Sequence, residues 1–548
     1  MTRATRRQFL VLAAGGTAAL GGCGKRTRAG GSATSAAEIG ALMPTFRPLQ
    51  LLEPDIPGED PVPAGYLTYP RRVVRVITRR PGTSGRTAKT MTPVWGPIPP
   101  GLGHNSYFDA VNADLGLPLD PSLQDGSDYQ DKLSAALAAR DVPDLLTVPT
   151  WVIDAIPRFG QAVKALFADL TEHLRGDAAL SYPMLASLPT AAWQYSVWGG
   201  RLAAVPFPTT GPFPWALFYR KDRANLAGVA SPTTIDELYH FGRELTDPAR
   251  GVWAFGNVFN MVQMFFKCPG CKTGWRRRVG DGLEFKYETP EYREAVRFTA
   301  RLYKDGLVHP DLVANREADS KQLFNSGKLI AFEDGLGAWR GMQSEQAKVT
   351  PGYDMQPIPL FSAIGGEPLA WGSAAPILYT FVRKGLGRDR TQELLGVLDW
   401  CGAPFGSYEN ELATYGVEGR HFTRDAEGTP IPTDLGRREL GGNSPFTLLG
   451  GRVPVEFGGS DVPHYVRDLL AYTRTTVRYL ERDLFQGIKV ELPASFSKAL
   501  VQAEDQVSDL LRGRRPVSDL ESIVRAWRLG GGDECRSFLE RTLSSNAR

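Results

Sequence analysis

Short apolar runs alternate along this chain with longer segments whose apolar residues recur at helical spacing, and this alternation limits the folds open to it. The first unit predicts a strand at 71–78, helices at 107–115 and 129–140, and a strand at 144–148. The pattern then predicts strands at 202–207 and 216–220 and helices at 234–245, 290–305, 462–483 and 493–511. Such spacings are typical of βαβ units. The chain is therefore predicted to be an α/β protein with largely parallel sheets.

The composition excludes several classes of partner. Of the 548 residues, 42% are hydrophobic, which is enough to bury large cores, and 63 basic residues face 60 acidic ones for a net charge of +3. A nearly neutral chain lacks the basic field that nucleic-acid binding requires. We therefore expect no nucleic-acid partner. No stretch after the amino terminus is apolar for long enough to span a bilayer.

The first thirty residues have the layout of an export signal. Arg3, Arg6 and Arg7 precede an apolar run at 9–20 that is too short to cross a membrane. The pair Arg6-Arg7 and the Gln-Phe-Leu after it resemble a twin-arginine signal, and Leu-Gly-Gly-Cys23 resembles a lipobox, in which Cys23 carries lipid. A buried amino-terminal helix is the alternative. Removal of the signal peptide 1–22 takes away three arginines and leaves 60 basic and 60 acidic residues, so we expect a neutral mature protein.

Residues 23–70 are predicted to be the lipidated cysteine and a flexible tether. This stretch is rich in Gly, Ser, Ala and Pro and has no sustained periodicity. A tether behind a diacylated cysteine suits a protein held at the outer face of the cell membrane.

Four cysteines remain once Cys23 carries lipid. Cys268 and Cys271 bracket a Pro-Gly turn, so they are a candidate disulfide in an oxidising compartment, and free thiols are the alternative. A zinc site would need two further ligands nearby, and none follows at metal spacing. We assign no partner to Cys401 and Cys535 and expect no metal.

Six segments resemble, in order, the extracellular solute-binding proteins of carbohydrate transport. GRLAAVPFPTTGPFPWALFYRKDRANLAGVASPTTIDELYHFGREL at 200–245 resembles the central signature of that family. YKDGLVHPDL at 303–312 and FNSGKLIAF, followed by Trp339, resemble two later signatures. APFGSYENELATYGVEGRHF at 403–422, RRPVSDLESIVRAWRLGGGDE at 514–534 and the lipobox are similar to its long-chain lipoprotein branch. The order of the matches makes the resemblance specific.

The resemblance implies a two-lobe fold of the type II periplasmic-binding-protein-like class, with several hinge crossings. We expect lobe one at 71–210 and 335–375, lobe two at 211–334 and 376–548, and crossings near Thr210, Glu333 and Trp371. Some members carry a calcium loop, but the corresponding stretch 246–251 holds one acid, so we expect no calcium.

The function that the resemblance implies is capture of a sugar or oligosaccharide between the lobes. The protein would deliver it to the permease subunits of an ABC transporter, as a monomer without a cofactor and without enzymatic activity. Two other classes stay open: a secreted glycan-active hydrolase, and a surface adhesion or sensor-accessory protein.

Aromatic rings at predicted strand ends are the main candidates for sugar contacts. Ligands of open α/β sheets bind beyond the carboxyl ends of strands, where a tryptophan ring can cover the apolar face of a pyranose. Of the six candidates we favour Trp371, at an expected crossing. Packing in a core or between lobes is the alternative for each ring. The candidates are Trp95, Trp151, Trp215, Trp253, Trp339 and Trp371.

Four polar residues complete the candidate site. His104 and Asn105 lie in the Gly-rich loop after the predicted first strand. Glu333 and Asp334 could bind hydroxyls, and a solvated turn is the alternative. Neighbours in a strand point to opposite faces, so these two acids do not easily flank one glycosidic bond as a catalytic pair. The sequence has no P-loop and no GxSxG motif, and we assign no catalytic residue.

Overall fold

Two mixed β-sheets, each covered by apolar layers on both faces, form the body of the protein. The computed structural model describes residues 31–153, 156, 158–209, 211, 215–270, 274–280, 282–313, 320–372, 375–441, 444–460, 462–481 and 483–546. Cys23 and the predicted signal peptide lie outside these residues.

The lobe-one sheet has five strands. Their spatial order is Leu119–Asp125, Ala88–Val94, Leu145–Pro149, Leu378–Val382 and Ala204–Phe207. The first three are parallel, and Leu378–Val382 runs antiparallel to both of its neighbours. Successive residues face opposite layers, so that Leu145 packs in one core and Leu146 in the other. Because both faces are covered, Leu145–Pro149 and Leu378–Val382 are buried along their whole length and are mostly apolar.

The lobe-two sheet has four strands. Their spatial order is Trp253–Phe255, Leu329–Gly335, Trp215–Arg220 and Met355–Pro357. The first two are parallel, and Trp215–Arg220 is antiparallel to both of its neighbours. Leu217 packs in one core and Phe218 in the other. Each lobe is therefore a three-layer α/β unit, and the α/β class was predicted. The sheets are mixed and not largely parallel as predicted, because Leu378–Val382 and Trp215–Arg220 each run antiparallel to both of their neighbours.

Local signals explain where several helices begin. Asn105 caps Ser106–Leu115 and Thr234 caps Ile235–Leu245, because each side-chain oxygen accepts a free backbone N–H of the first turn. Pro290–Lys304 begins with a proline, which lacks the N–H that would be unpaired there. The other helices are Ala36–Gly40, Tyr129–Ala139, Thr150–Ile153, Phe159–Leu166, Thr171–Leu174, Pro183–Ala186, Thr190–Gln194, Lys221–Leu226, Phe259–Phe265, Pro310–Val313, Ser320–Asn325, Ala338–Ala347, Arg388–Cys401, Tyr408–Tyr415, Asp434–Leu440, Phe446–Leu449, Tyr465–Thr476, Ala494–Leu511, Leu520–Trp527 and Asp533–Asn546.

Five two-stranded ladders complete the structure. They are Ser32–Thr34 with Lys489–Glu491, Ala64–Tyr66 with Val455–Phe457, Val197–Trp198 with Arg201–Leu202, Trp275–Arg277 with Leu283–Phe285, and Phe422–Arg424 with Pro430–Pro432. In the described part of the chain, no helix is both long and apolar enough to cross a membrane.

The chain passes between the lobes several times, but not with the boundaries expected. Two segments join strands of one sheet to strands of the other, namely 208–214 and 358–377. The first includes Thr210, which lies outside the described residues, and the second includes Trp371. Glu333 instead lies inside the strand Leu329–Gly335 of the lobe-two sheet. Met355–Pro357 belongs to lobe two and Leu378–Val382 to lobe one, the reverse of the expected assignment of 335–375 and 376–548. The lobe to which each of these strands belongs is decided by its pairing with strands that are distant in the sequence.

Two amino-terminal expectations are also corrected. The described part of the expected tether, 31–70, is folded: Ile39 is buried in the lobe-one core, and Tyr69 packs edge-on against Phe405 and Tyr415. Residues 71–78 form no strand, because the carboxylate of Glu409 accepts the N–H groups of Val76 and Ile77 that a sheet neighbour would otherwise bind.

Candidate functional site

The carboxyl edges of the two sheets are joined by a short stretch of chain. Phe207 ends a strand at the carboxyl edge of the lobe-one sheet, and Trp215 begins a strand at the carboxyl edge of the lobe-two sheet. Only residues 208–214 separate them, so the two edges lie at most about 29 Å apart even if the link is fully extended. Ligands of open α/β sheets bind beyond the carboxyl ends of the strands, so these two edges are where ligand contacts are expected.

Two of the predicted tryptophans form a pair at the lobe-one edge. Trp95 follows the strand Ala88–Val94, and Trp151 follows the neighbouring strand Leu145–Pro149. Their ring centroids are 5.9 Å apart with planes tilted by 47°. Trp95 is 41% exposed and Trp151 is 57% exposed. Large exposed rings at the carboxyl ends of adjacent parallel strands form an apolar surface suited to the face of a sugar.

Buried contacts hold the loop that carries Trp95. The Asn105 amide donates to the carbonyl oxygens of Pro100 and Glu439, and its oxygen accepts the N–H groups of the helix that follows. Asn105 is 1% exposed, so its role in this structure is to fix the loop. His104, one residue earlier, is exposed. The Trp95 ring lies on Gly126, where a Cβ atom would be 2.2 Å from the indole nitrogen.

The lobe-two edge presents Trp215 beside an acidic residue. Trp215 is 36% exposed and pairs with Gly335, and Glu333 lies two residues before Gly335 on the same strand. The Glu333 carboxylate accepts hydrogen bonds from the Asn260 amide at 2.8 Å and from the Met261 N–H at 3.1 Å. Asp334 instead forms an ion pair with Lys321 at 3.0 Å. The two acids thus have different surroundings, as the strand alternation predicted.

Three predicted tryptophans lie away from this surface. Trp339 is 2% exposed and packs against Phe218 and Tyr465 in the lobe-two core. Trp253 lies at the amino end of its strand, where it packs edge-on against His309 with a centroid distance of 4.6 Å. It is therefore at the opposite edge of the sheet from Glu333.

Trp371, the favoured ring, is also buried. It is 8% exposed, and its indole N–H donates to the Cys268 carbonyl oxygen at 2.8 Å. Its ring lies so close to Gly270 that a Cβ atom there would be 1.9 Å from it. The backbone at Cys268 and Gly270 covers this ring. The residues next to Trp371 in the sequence give no indication of that cover.

A cluster of Ser106, His421 and Glu439 near the lobe-one edge was not found from the sequence, because its members are far apart along the chain. The Ser106 hydroxyl lies 3.0 Å from His421 Nε2, and Nε2 lies 3.2 Å from the Glu439 carboxylate. His421 Nδ1 accepts the N–H of Val417, so Nε2 carries the proton in the neutral ring. Burial lowers the pKa of His421, which favours that neutral form. With no lone pair at Nε2, the ring does not act as a base toward Ser106.

Three of the cysteines named from the sequence lie in the described part of the chain, and all three are buried. Cys268 is buried, and burial raises the pKa of its thiol. Cys271 lies outside the described residues, so a bridge between the two stays a prediction. Cys401 and Cys535 are buried free thiols. Among the described residues, no group of three or more His, Cys, Asp or Glu side chains is placed to hold a metal ion.

Comparison with known proteins identifies the class to which this fold and surface belong. Residues 118–380 match the family described as bacterial extracellular solute-binding protein. The chain is 20% identical over 315 residues to the polygalacturonan/rhamnogalacturonan-binding protein YtcQ of Bacillus subtilis (strain 168), a match that covers 55% of this chain. The match spans 60% of the length of that relative.

Solved structures show the same fold. The alginate-binding protein AlgQ2 without calcium ion has a TM-score of 0.58 and 14% identity, over 85% of this chain and 99% of that one. The S. pneumoniae ABC-transporter substrate-binding protein FusA in complex with kestose has a TM-score of 0.58 and 13% identity, over 84% of this chain and 99% of that one. The protein thus has the predicted two-lobe, type II periplasmic-binding-protein-like fold. The region 118–380 is similar to the bacterial extracellular solute-binding proteins, and these solved neighbours are sugar-binding proteins, not enzymes.

Proposed function

We propose that this protein captures a saccharide in the cleft between its lobes and delivers it to the permease of an ABC transporter. The observation that carries the proposal is the exposed pair of Trp95 and Trp151 at the carboxyl edge of the lobe-one sheet. On lobe two, Trp215 and the polar groups of Glu333 and Asn260 would form the facing wall. Rings cover the apolar faces of sugars, and polar groups satisfy the hydroxyls, which are costly to bury unpaired.

A carrier must release the ligand that it binds, so we infer that the protein holds its ligand by reversible closure of the lobes and not by covalent chemistry. The crossings at 208–214 and 358–377 would act as hinges. A saccharide that bridges both edges stabilises the closed form only by the difference between its affinities for the closed and open forms. The neighbours that carry printed sugars, kestose on FusA and Man1GlcNAc on the Streptococcus pneumoniae protein NgtS, support a saccharide as the ligand class.

The amino terminus suggests where capture takes place. Arg6-Arg7 and Cys23 support export by the twin-arginine route and lipid anchoring at the outer face of the membrane. The variant Cys23→Ser should not incorporate a labelled fatty acid and should move from the membrane fraction to the medium. Replacement of both Arg6 and Arg7 by Lys should retain the precursor inside the cell. Membrane association of Cys23→Ser equal to that of the wild type would contradict the anchor.

Binding can be tested with saccharides drawn from the neighbours. Isothermal titration of the purified protein with alginate oligosaccharides, oligogalacturonate and kestose should give saturable binding of at least one of them. That saccharide should remain intact after prolonged incubation, and it should raise the free energy of unfolding by about 2.7 kcal/mol at a hundredfold excess over Kd. Consumption of the saccharide would contradict the proposal.

A further inference from the structure

A second concave surface lies on lobe two, beside the proposed cleft. It is lined by residues of Phe259–Phe265, Pro290–Lys304 and Ala494–Leu511 and of the turn Lys286–Glu288, and we call it the lobe-two groove. Asn260, which lines the groove, also donates to Glu333 at the sheet edge. The groove has a volume of about 190 Å³. Because sites for drug-sized ligands begin at roughly 300 Å³, this volume fits one small ring.

The lysine in this groove lacks the partner that a half-buried cation normally has. In the part of the chain that the structure describes, Lys286 Nζ forms no hydrogen bond and no ion pair within 4 Å. The Lys286 Nζ atom lies 5.7 Å from the centroid of the Trp371 ring and 5.8 Å from that of the Tyr287 ring. Burial lowers the pKa of Lys286, while the charge of Glu504 acts in the opposite direction. An anionic group in the groove would supply the missing partner.

Two further polar atoms of the groove are buried without partners. Among the described residues, neither the Oε1 atom of Gln263, which is 2% exposed, nor the hydroxyl of Tyr287, which is 4% exposed, has a hydrogen-bond partner. An unpaired buried polar atom costs about 1–3 kcal/mol. The Gln263 oxygen can accept a hydrogen bond, and the Tyr287 hydroxyl can donate or accept one, so both can pair with the hydroxyls of a sugar.

The remaining lining adds ring faces. The ring centroids of Phe259 and Tyr292 lie 5.9 Å apart, and those of Tyr287 and Tyr292 lie 5.0 Å apart. Aromatic faces with mixed polar groups favour a sugar ring, and the amine of Lys286 favours an acidic one.

We propose that the lobe-two groove binds a single sugar unit that carries a carboxylate. Lys286 donates to the carboxylate, and Gln263 and Tyr287 bind hydroxyls of the ring. This site is separate from the Trp95 and Trp151 surface, and it does not depend on the function proposed for that surface.

The test compares two sugars with the same ring. Galacturonate has a carboxylate where galactose has a hydroxymethyl group, and each is titrated calorimetrically into the full-length protein. We expect galacturonate to bind saturably and about tenfold or more tightly than galactose, which is the worth of a hydrogen bond to a charged group. Lys286→Met should abolish this preference, and Lys286→Arg should retain part of it. Lys304→Met, which removes an exposed lysine of the same lobe, should change nothing.

Other variants keep the test independent of folding and of the cleft. Tyr287→Phe removes only a hydroxyl that has no partner, so the protein should fold normally and bind galacturonate more weakly. Trp151→Ala should leave the preference for galacturonate unchanged. The proposal is overturned by absence of saturable galacturonate binding, by equal affinities for the two sugars, or by an unchanged preference in Lys286→Met. Any of these results, with saccharide binding that still depends on Trp151, would leave the proposed function intact.

Discussion

The exposed ring of Trp151 offers the sharpest test of the proposed saccharide surface. Trp151 is 57% exposed in a short helix directly after a buried strand. A tryptophan buries up to about 250 Å², so roughly 140 Å² of this side chain is open to solvent. A pyranose on one face would cover about half of that, roughly 70 Å², and at 25 cal/mol per Å² this contact contributes about 1.8 kcal/mol.

Trp151→Ala should therefore weaken binding without unfolding the protein. A loss of about 1.8 kcal/mol corresponds to a Kd about twentyfold higher. Trp151→Phe retains a ring face and should lose less. The affinity is measured by isothermal titration with whichever saccharide of the panel binds most tightly, and thermal unfolding confirms that each variant is folded.

The matched control is Trp253→Phe, at the opposite edge of the lobe-two sheet. Its ring packs on His309 and lies far from Glu333 along the strands, so the affinity should not change. A Kd for Trp151→Ala within twofold of the wild type would refute the stacking surface. Equal losses in Trp151→Ala and Trp253→Phe would show that the effect is not local.

Three further predictions concern residues that position the site or stabilise the fold. Gly126→Ala would place a Cβ atom 2.2 Å from the Trp95 indole nitrogen, so the ring should be displaced. Titration calorimetry should then show saccharide binding weaker by about 0.5–1.5 kcal/mol, and an unchanged affinity would contradict this. Burial raises the pKa of Asp399 to about 7. A carboxyl whose pKa is higher in the folded state loses its contribution to stability as the pH rises, so its share falls by about 3 kcal/mol between pH 5 and pH 8. Urea unfolding at both values should show a smaller pH difference in Asp399→Asn than in the wild type, and an equal difference would count against the assignment. The Arg220 guanidinium is fully buried and donates to both carboxylate oxygens of Asp222, at 2.8 and 2.7 Å. Asp222→Ala removes this counter-charge, so urea unfolding should show a free energy of unfolding lower by about 3–5 kcal/mol. A decrease below about 1 kcal/mol would be inconsistent with this role.

The sequence alone determined the fold class, several helices and the family resemblance. Ile235–Leu245 and Pro290–Lys304 were predicted within about a residue at each end, because caps and apolar periodicity are signals between neighbours in the chain. The ordered family motifs lie in the same kind of local sequence, and the match at 118–380 confirmed the family that they indicated. The different surroundings of the Glu333 and Asp334 side chains followed from the alternation of side chains along a strand.

Only the tertiary structure decided which lobe each late segment joins and which rings are open to a ligand. Leu378–Val382 enters the lobe-one sheet between strands that end more than 170 residues earlier. Trp151 and Trp339 have similar local settings, yet one is 57% exposed and the other 2%, because Tyr465 packs on Trp339 from a distant helix. The groove around Lys286 likewise forms between helices far apart in the chain. Burial depends on which distant surface covers a side chain, and periodicity among near neighbours carries no record of that surface.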